Sequence, residues 1–504
     1  MTSVVNNKLV VKNSIYLYIR MFFVMAVSLF SVRIVLKALG VVDYGIYNVV
    51  GGVVTMLSFL SGSMATSSQR YFSIEIARGD NISLERIFSL NISLFAIFAV
   101  LVIVIAETIG VWFVNSKMTI PENRLLATNI VYQMSILSFV VQLFAIPYNA
   151  LIIAYERMTA FAWIGIIEVM LKLFAAYIIM YIAMDKLILY SLVMFVSCII
   201  TTLCYYMYCR IHFNNCKYTF YWNRNEAMSL LAFSGWHFLG TTAVVIRSQG
   251  INILINLFFN PAINAARAIA FQVENAVLRF SNNFFTAVKP QIYKSYSTGE
   301  MQALYLLIRR STILSMYLVS LLIFPIIFNV EFILRVWLDD IPSHAILFTQ
   351  LALLNGLIDA SNGPTIAPAL ATGNIKRFEL VTSLIFIANL PIAYILLHIG
   401  ASPESTVYIS IILSVICMFV RAYFLKGMIG FPFGEYVKLI LRIVFVSLML
   451  YILLSNIYID TGLYRLIMLS GISVVFTSIL YMLLVMSKQD RCFVLSFVRS
   501  KIMK

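Results

Sequence analysis

Charged residues are scarce in this sequence. Asp, Glu, Lys and Arg make up 11% of its 504 residues, whereas they form about 25% of an ordinary soluble domain. Hydrophobic residues account for 62%, and the mean hydropathy is +0.94. This composition excludes a soluble globular protein and predicts a chain that crosses a membrane many times.

Cysteine and histidine are also few, with six and four copies respectively. The cysteines lie in apolar segments or near their ends and lack the paired spacing of metal ligands, and the histidines are dispersed. We therefore expect reduced cysteines that pack as small apolar side chains, with no metal site or other cofactor. The sequence has no glycine-rich P-loop motif either, which argues against ATP hydrolysis.

Long apolar runs recur along almost the whole chain, and about 20 apolar residues cross a bilayer core of about 30 Å as a helix. Continuous runs favour helices over the alternating strands of a barrel, and the first run is too long for a signal-peptide core. The predicted fold is an all-α polytopic membrane protein. Its fourteen predicted spans are 13–36, 44–66, 87–114, 125–152, 159–183, 187–210, 230–258, 263–286, 305–330, 346–371, 378–399, 405–427, 436–457 and 463–486.

The formal net charge of +15 has an explanation in topology. Of the 36 Lys and Arg residues, 24 lie in the two tails and the even-numbered turns, whereas six lie in the opposite turns. Because positive loops stay in the cytoplasm, both termini are predicted to be cytoplasmic. The basic excess is therefore not expected to be a nucleic-acid surface.

The sequence repeats its plan at a shift of about 220 residues. The shift aligns Gly79 with Gly299 and Trp112 with Trp337. The shift corresponds to six predicted helices. Because six is an even number, both copies have the same orientation in the membrane, as in transporters with a parallel repeat. We predict two pseudo-symmetric six-helix lobes with the solute site between them near the membrane midplane. The predicted segments are 1–212, 213–430 and 431–504, the last of which holds helices 13 and 14.

Helix-disrupting residues inside the predicted spans are candidate hinges for alternating access. Proline removes a backbone hydrogen bond from a helix interior and kinks it, although glycine and proline are common in membrane helices in general. Pro147 and Pro364 align in the repeat. The candidate hinges are Gly51, Gly52, Pro147, Pro364 and Pro368.

Basic residues inside the spans are the main functional signal, because each costs about 2.5–3.5 kcal/mol at the centre of a membrane helix. There are six: Arg20, Arg33, Lys172, Arg247, Arg267 and Arg279. The interior acids are Glu168, Glu274 and Asp359, and Glu107 lies near an outer end. Six bases against three acids leave a surplus of three positive charges, or two with Glu107 included.

Spacing predicts which of these charges neutralise each other. Glu168 and Lys172 are four residues apart on one helical face and can form an ion pair. Arg267 and Glu274 are seven apart and also share a face, while Arg33 lies near the outer end of its span and can reach the interface. The remaining surplus predicts an anionic solute. Guanidinium groups grip phosphate through two parallel hydrogen bonds, so a pyrophosphate would match the charge.

The sequence resembles the polysaccharide repeat-unit flippases of the multidrug/oligosaccharidyl-lipid/polysaccharide (MOP) exporter superfamily. The resemblance rests on the segment NSIYLYIRMFFVMAVSLFSVRIVLKALGVVDYGIYNVVGGVV, on QRYFSIEIARGD, on AIPYNALIIAYERM and on the repeated six-helix plan. It covers about residues 10–430 at the level of pattern.

The resemblance implies a MATE-like fold and a bacterial inner-membrane flippase. Its substrate would be an undecaprenyl-pyrophosphate-linked oligosaccharide, moved to the periplasmic leaflet for O-antigen, lipopolysaccharide or capsule synthesis, with the polysaccharide polymerase machinery as a further partner. It also implies a cavity with cationic residues, matched by helix position to Arg20, Arg247, Arg267 and Arg279. Coupling to a proton or sodium gradient or to the membrane potential makes Glu274 and Asp359 candidates for ion coupling.

Several alternatives stay open at this stage. A multidrug or cation antiporter of the same superfamily needs acids in its cavity, yet residues 1–42 contain no Asp or Glu. A flippase for the peptidoglycan lipid precursor would have the same helix number and an arginine-lined cavity. A membrane-bound polysaccharide polymerase or ligase would need catalytic groups, and the longest outer turn, NSKMTIPENR, shows no acid–base or nucleophilic constellation. We therefore expect a transporter and not an enzyme or a structural scaffold.

Overall fold

The computed structural model describes residues 7–55, 58–116, 120–182, 184–213, 217–338, 340–457, 462–488 and 490–491. Within these ranges the regular structure is entirely helical and contains no strand, which confirms the predicted all-α class. Contacts divide the chain into two compact units, Asn6–Phe238 and Leu239–Lys504. The boundary falls inside a helix, 26 residues after residue 212, and the division at residues 212 and 430 stays a prediction.

The helices of the first unit pack around buried aliphatic and aromatic side chains, with Phe72, Phe88, Phe95 and Tyr132 fully enclosed. A π-helical turn at Ala106–Gly110 joins the third helix to the fourth. The helices are α1 (Asn7–Thr55), α2 (Ser58–Arg78), α3 (Asn81–Ile105), α4 (Val111–Ser116), α5 (Leu125–Ala154), α6 (Met158–Tyr181), α7 (Lys186–His212) and α8 (Arg224–Phe258), whose second half belongs to the other unit.

The second unit has its own core, in which Ile255, Ala266, Phe348 and Ala352 are buried. Its last helix continues into a π-helical turn at Tyr481–Val485. The helices that follow α8 are α9 (Pro261–Ser297), α10 (Met301–Phe328), α11 (Val330–Trp337), α12 (Ala345–Asp359), α13 (Asn362–Thr372), α14 (Lys376–Ile387), α15 (Asn389–His398), α16 (Ser405–Ile429), α17 (Phe433–Ser455) and α18 (Leu463–Leu480).

Eleven helical segments of the described chain are long and apolar enough to cross a membrane, and they coincide with eleven of the predicted spans. The other three predicted spans differ in kind. Span 44–66 runs across residues 56–57, which lie outside the described ranges. Span 263–286 is α9, which carries charged and amide side chains along its length, and span 346–371 is divided between α12 and α13. The chain is thus a multi-pass membrane protein, and the count of fourteen stays a prediction.

The internal repeat is visible in the backbone of each unit. Gly79 (φ 72°) follows α2, and its aligned partner Gly299 (φ 75°) follows α9. Glu156 (φ 59°) ends α5, and its aligned partner Gly373 (φ 80°) ends α13. All four have the left-handed conformation that terminates a helix. The same helix-ending device therefore recurs at equivalent positions of both copies.

The sharp bend in α1 lies at Gly40 (φ 78°, ψ 170°), where two helices meet at a corner without a connecting loop. Only glycine adopts this conformation without strain. The candidate hinges Gly51 and Gly52 both lie in helical backbone beyond that corner.

The aligned prolines occupy different local positions. Pro147 is buried inside α5, which continues through it from Leu125 to Ala154. Pro364 lies in the first turn of α13, where the missing N–H breaks no helical hydrogen bond, and Pro368 lies in the interior of that short helix. Whether these residues act as hinges stays a prediction.

A base–acid pair stands at equivalent positions of the two copies. In the first unit, Arg124 donates to Asp185, the N-cap of α7, with Nη2 at 3.3 Å from Oδ1, and also to Asp43 with Nε at 2.9 Å from Oδ1. In the second unit, His344 Nδ1 is hydrogen-bonded to Glu404, the N-cap of α16. Each pair ties the start of a helix to the turn that precedes another helix of its own unit.

We expect Glu404→Gln to lower the stability of the purified protein at neutral pH by about 1 kcal/mol. Burial is the largest single influence on the pKa of Glu404 and raises it, but the hydrogen bonds that Glu404 accepts, first that from His344, and the charge of His344 together lower it by more, so the pKa lies below its ordinary value. A carboxyl group of this kind stabilises the fold above its unfolded pKa, and that contribution is lost as the pH falls through the folded pKa. Melting curves in detergent should therefore converge for the two proteins at acid pH. A gap that stays constant at all pH values would contradict the assignment.

Candidate functional site

A cavity of about 560 Å³, lined by both apolar and polar side chains, lies within the first unit. The residues of α5, α6 and α7 that line the cavity recur about every three or four positions. Each of these helices therefore presents one face to the cavity. Residues from α1 and Ala65 of α2 complete the wall. The lining includes the charged and amide side chains Arg20, Gln142, Asn149, Glu168 and Lys172, together with the Tyr205 hydroxyl group.

Arg20 reaches this cavity from α1 and packs against α6. Its guanidinium carbon lies 4.4 Å from the centre of the Phe161 ring. One turn further along α6, a methyl group added to Gly165 would lie 2.1 Å from Arg20 Nε, so the absence of a side chain there makes room for the guanidinium. Arg20 Nε is buried without a hydrogen-bond partner, and no carboxylate of the described chain pairs with Arg20.

The two other charges of the cavity neutralise each other. Lys172 Nζ lies 2.6 Å from Glu168 Oε1, as the spacing on α6 predicts. Both side chains stay partly accessible, with exposed fractions of 44% and 31%. The formal charge of the cavity is therefore +1, since two bases face one acid, and Arg20 carries the excess.

The second unit contains a separate network of buried carboxylates and amides. Asn355 Nδ2 donates to Glu274 Oε1 at 3.1 Å and to Asp359 Oδ2 at 3.0 Å, so one amide joins the two acids. Asn362 Nδ2 donates to Asp359 Oδ1 at 2.9 Å. Glu274 is 4% exposed. The Asn355 Oδ1 atom is buried without a hydrogen-bond partner beside these carboxylates.

Two arginines of this network share one aromatic ring. The guanidinium carbons of Arg247 and Arg421 lie 4.6 and 5.2 Å from the centre of the Phe386 ring. Arg247 also donates to Ser414 Oγ at 3.3 Å, and its Nη2 lies 4.0 Å from Asp359 Oδ2. Arg421 donates to Asn362 Oδ1. Arg421 thus reaches the carboxylate of Asp359 through an amide.

Two more buried charges of this unit are Arg267 and Glu379. Arg267 is 4% exposed, donates to Asn252 and lies over the ring of Phe271 at 4.3 Å. Glu379 is 5% exposed, and its carboxylate lies against the backbone of Gly240. Together with Arg247, Arg421, Glu274 and Asp359, these two residues make three bases and three acids, whose formal charges cancel.

The six predicted interior bases are divided between the two units. Arg20 and Lys172 line the cavity of the first unit, and Arg247 and Arg267 belong to the network of the second. Arg33 and Arg279 are exposed. Arg421 counts among the cytoplasmic bases of the predicted topology and Glu379 is not among the predicted interior acids, yet both lie within predicted spans and are buried. Arg421 and Glu379 add one charge of each sign and leave the surplus of three unchanged, and the surplus is one when only the residues that are not exposed are counted.

The described fold is similar to those of solved MATE transporters. A multidrug resistance MATE family transporter of the MOP superfamily, in an outward-facing conformation, matches with a TM-score of 0.71 at 13% identity, over 83% of this chain and 96% of that chain. A MATE protein in the bent conformation gives 0.72 at 11% identity, over 85% and 98%. A MOP superfamily transporter from Pyrococcus furiosus, whose title reports reverse polarity of its binding pocket, gives 0.68 at 12% identity, over 83% and 96%.

No family model and no curated protein matches the sequence. At these identities the structural likeness defines the fold. The chain is a multi-pass, all-helical membrane protein with a MATE-like fold, as predicted. That is the fold of the MOP-superfamily transporters to which it is similar.

Proposed function

We propose that this protein is a MOP-superfamily flippase of the bacterial inner membrane, with both termini in the cytoplasm. It moves an undecaprenyl-pyrophosphate-linked oligosaccharide from the cytoplasmic to the periplasmic leaflet by alternating access, for O-antigen or capsule synthesis. The observation that carries the proposal is Arg20, a permanent cation that lines a cavity within the first unit and has no carboxylate partner in the described chain. Such a residue inside a membrane-spanning unit is costly unless an anionic ligand uses it.

The cavity suits a phosphorylated head group in size and in chemistry. Its volume of about 560 Å³ lies within the range of small-ligand sites. Arg20 supplies the excess charge, and Phe161 and Gly165 hold its guanidinium in place. The Lys172 ammonium group adds a donor whose charge Glu168 already balances. Serine, threonine and amide groups around them offer hydrogen bonds to sugar hydroxyls or phosphate oxygens.

The buried acids of the second unit are candidates for coupling transport to an ion gradient. Glu274 and Asp359 share the amide of Asn355, and Asn355 Oδ1 is unpaired beside them. Carboxylate and amide oxygens in this arrangement can take up a proton or a sodium ion. We propose that occupation of this group drives the conformational cycle.

The proposal predicts that Arg20→Ala blocks transport without loss of the protein. Hydrogen bonds to charged groups are worth about 1.5–3 kcal/mol, so surface polysaccharide should fall by about tenfold or more when the variant replaces the chromosomal copy. Arg20→Lys should retain part of the activity because the charge remains. Arg33→Ala, an exposed arginine on the same helix, is the matched control and should change little. Normal surface polysaccharide with Arg20→Ala at normal membrane abundance would contradict the proposal.

A multidrug antiporter is the second candidate. The solved structures that share the fold include a multidrug resistance transporter, and the carboxylates of the second unit are groups that such exchange requires. The two functions differ in what fails when the gene is deleted. Loss of surface polysaccharide with accumulation of its lipid-linked precursor supports the flippase, whereas increased drug sensitivity with normal polysaccharide supports the antiporter.

A further inference from the structure

One face of α9 is polar where a lipid-facing helix would be apolar. Gln272, Asn275, Arg279 and Asn282 follow each other at helical spacing and are all exposed. We call this set the amide stripe. At 1.5 Å per residue it covers about 15 Å along the helix axis. On the prediction that residues 263–286 span the membrane, the stripe lies at membrane depth.

The amide stripe is not suited to contact with lipid tails. On α3, the exposed face carries Ile97, Val100 and Val104, as expected for a surface in hydrocarbon. Residues 258–335 are all described, and none of their large apolar side chains is exposed. An amide or guanidinium in hydrocarbon without a partner is costly. The face of α9 that carries the stripe must therefore contact water or a polar ligand.

The side chains of the stripe are available for a ligand. Within the part of the chain that the structure describes, none of the four makes a side-chain hydrogen bond. By contrast, Asn252 and Asn355, two other amides of this unit, are held by buried neighbours. The stripe thus presents a row of donors and acceptors whose partners lie outside the described protein.

We propose that the amide stripe binds the oligosaccharide part of the transported lipid, which rests on the proposed flippase function. Each amide offers two donors and one acceptor, the combination that matches neighbouring sugar hydroxyl groups. The stripe contains no acid, so it does not attract a cation, and Arg279 favours a ligand that carries an anion. Three uncharged amides and one base thus select a neutral or acidic glycan attached to phosphate.

The experiment compares two probes on the purified protein in nanodiscs. One is undecaprenyl pyrophosphate, and the other is the undecaprenyl-pyrophosphate-linked oligosaccharide extracted from the cells that express the protein. The double variant Gln272→Ala with Asn275→Ala should weaken binding of the oligosaccharide probe by about tenfold and leave the sugar-free probe unchanged. Arg20→Ala should weaken both probes. Asn225→Ala, an exposed asparagine in the first turn of α8, is the matched control.

The outcomes separate the stripe from the flippase function. If the unaltered protein binds neither probe, the proposed function itself is contradicted. If it binds both probes and the double variant binds the oligosaccharide probe as before, or loses both equally, only the role of the stripe is overturned. Asn282→Ala provides a second, single substitution in the same stripe, and the melting temperature of each variant verifies that it is folded.

Discussion

Arg247→Met is expected to destabilise the purified protein strongly, and Asp359→Asn in the same chain should recover part of that loss. The side chains of Arg247 and Asp359 are 12% and 18% exposed, and they belong to a network with three bases and three acids. Removing one partner leaves an uncompensated buried charge, which costs about 3–5 kcal/mol. Removing both charges often changes the stability little, because the cost of taking the two charges out of water is removed with them.

The measurement is a double-mutant cycle on melting in detergent. Arg247→Met and Asp359→Asn should each lower the melting temperature. The double variant should melt at a higher temperature than the sum of the two single decreases would give. Arg335→Met is the matched control, since Arg335 pairs with Glu331 at an exposed site where an ion pair contributes about 0–1 kcal/mol. Strictly additive losses would show that Arg247 and Asp359 do not balance each other.

The sequence predicted well those helices whose position follows from a long apolar run. It predicted less well the helix ends and bends that depend on backbone geometry. The eleven helical segments that are long and apolar enough to cross a membrane follow from long apolar runs. In contrast, α2 and α9 continue to Arg78 and Ser297, well beyond the predicted limits of 66 and 286. Outside hydrocarbon a helix no longer needs apolar residues, so hydropathy cannot mark its end. The corner at Gly40 was predicted only as a turn, because its conformation depends on how the chain packs.

Contacts within one helix were predictable, whereas contacts between helices were not. The Glu168–Lys172 pair follows from a spacing of four residues. The packing of Arg20 on Phe161 joins residues 141 positions apart, and no local pattern marks it. The burial of Arg421 is of the same kind, because its partners Asn362 and Phe386 come from α13 and α14. The predicted interior charges omitted Arg421 and Glu379 because their burial depends on such contacts, although these two charges cancel.

Gly165→Ala is expected to abolish most transport while the protein remains folded. The added methyl group would lie 2.1 Å from Arg20 Nε and 2.9 Å from the guanidinium carbon, so the side chain must move. Because the clash is with the outer part of a flexible side chain and not with backbone, Arg20 can turn away at small cost to the fold. The guanidinium would then leave its position over Phe161, and surface polysaccharide should fall by about tenfold, as with Arg20→Ala.

A combined variant tests whether Gly165 acts through Arg20. If the methyl group works only by displacing the guanidinium, Arg20→Ala with Gly165→Ala should be no worse than Arg20→Ala alone, since the displaced group is already absent. Gly45→Ala is the control, because a methyl group there meets no atom within 4 Å. A further loss in the combined variant would mean that Gly165 matters for helix packing itself. An unchanged level of surface polysaccharide in Gly165→Ala would mean that the position of the Arg20 guanidinium does not limit transport.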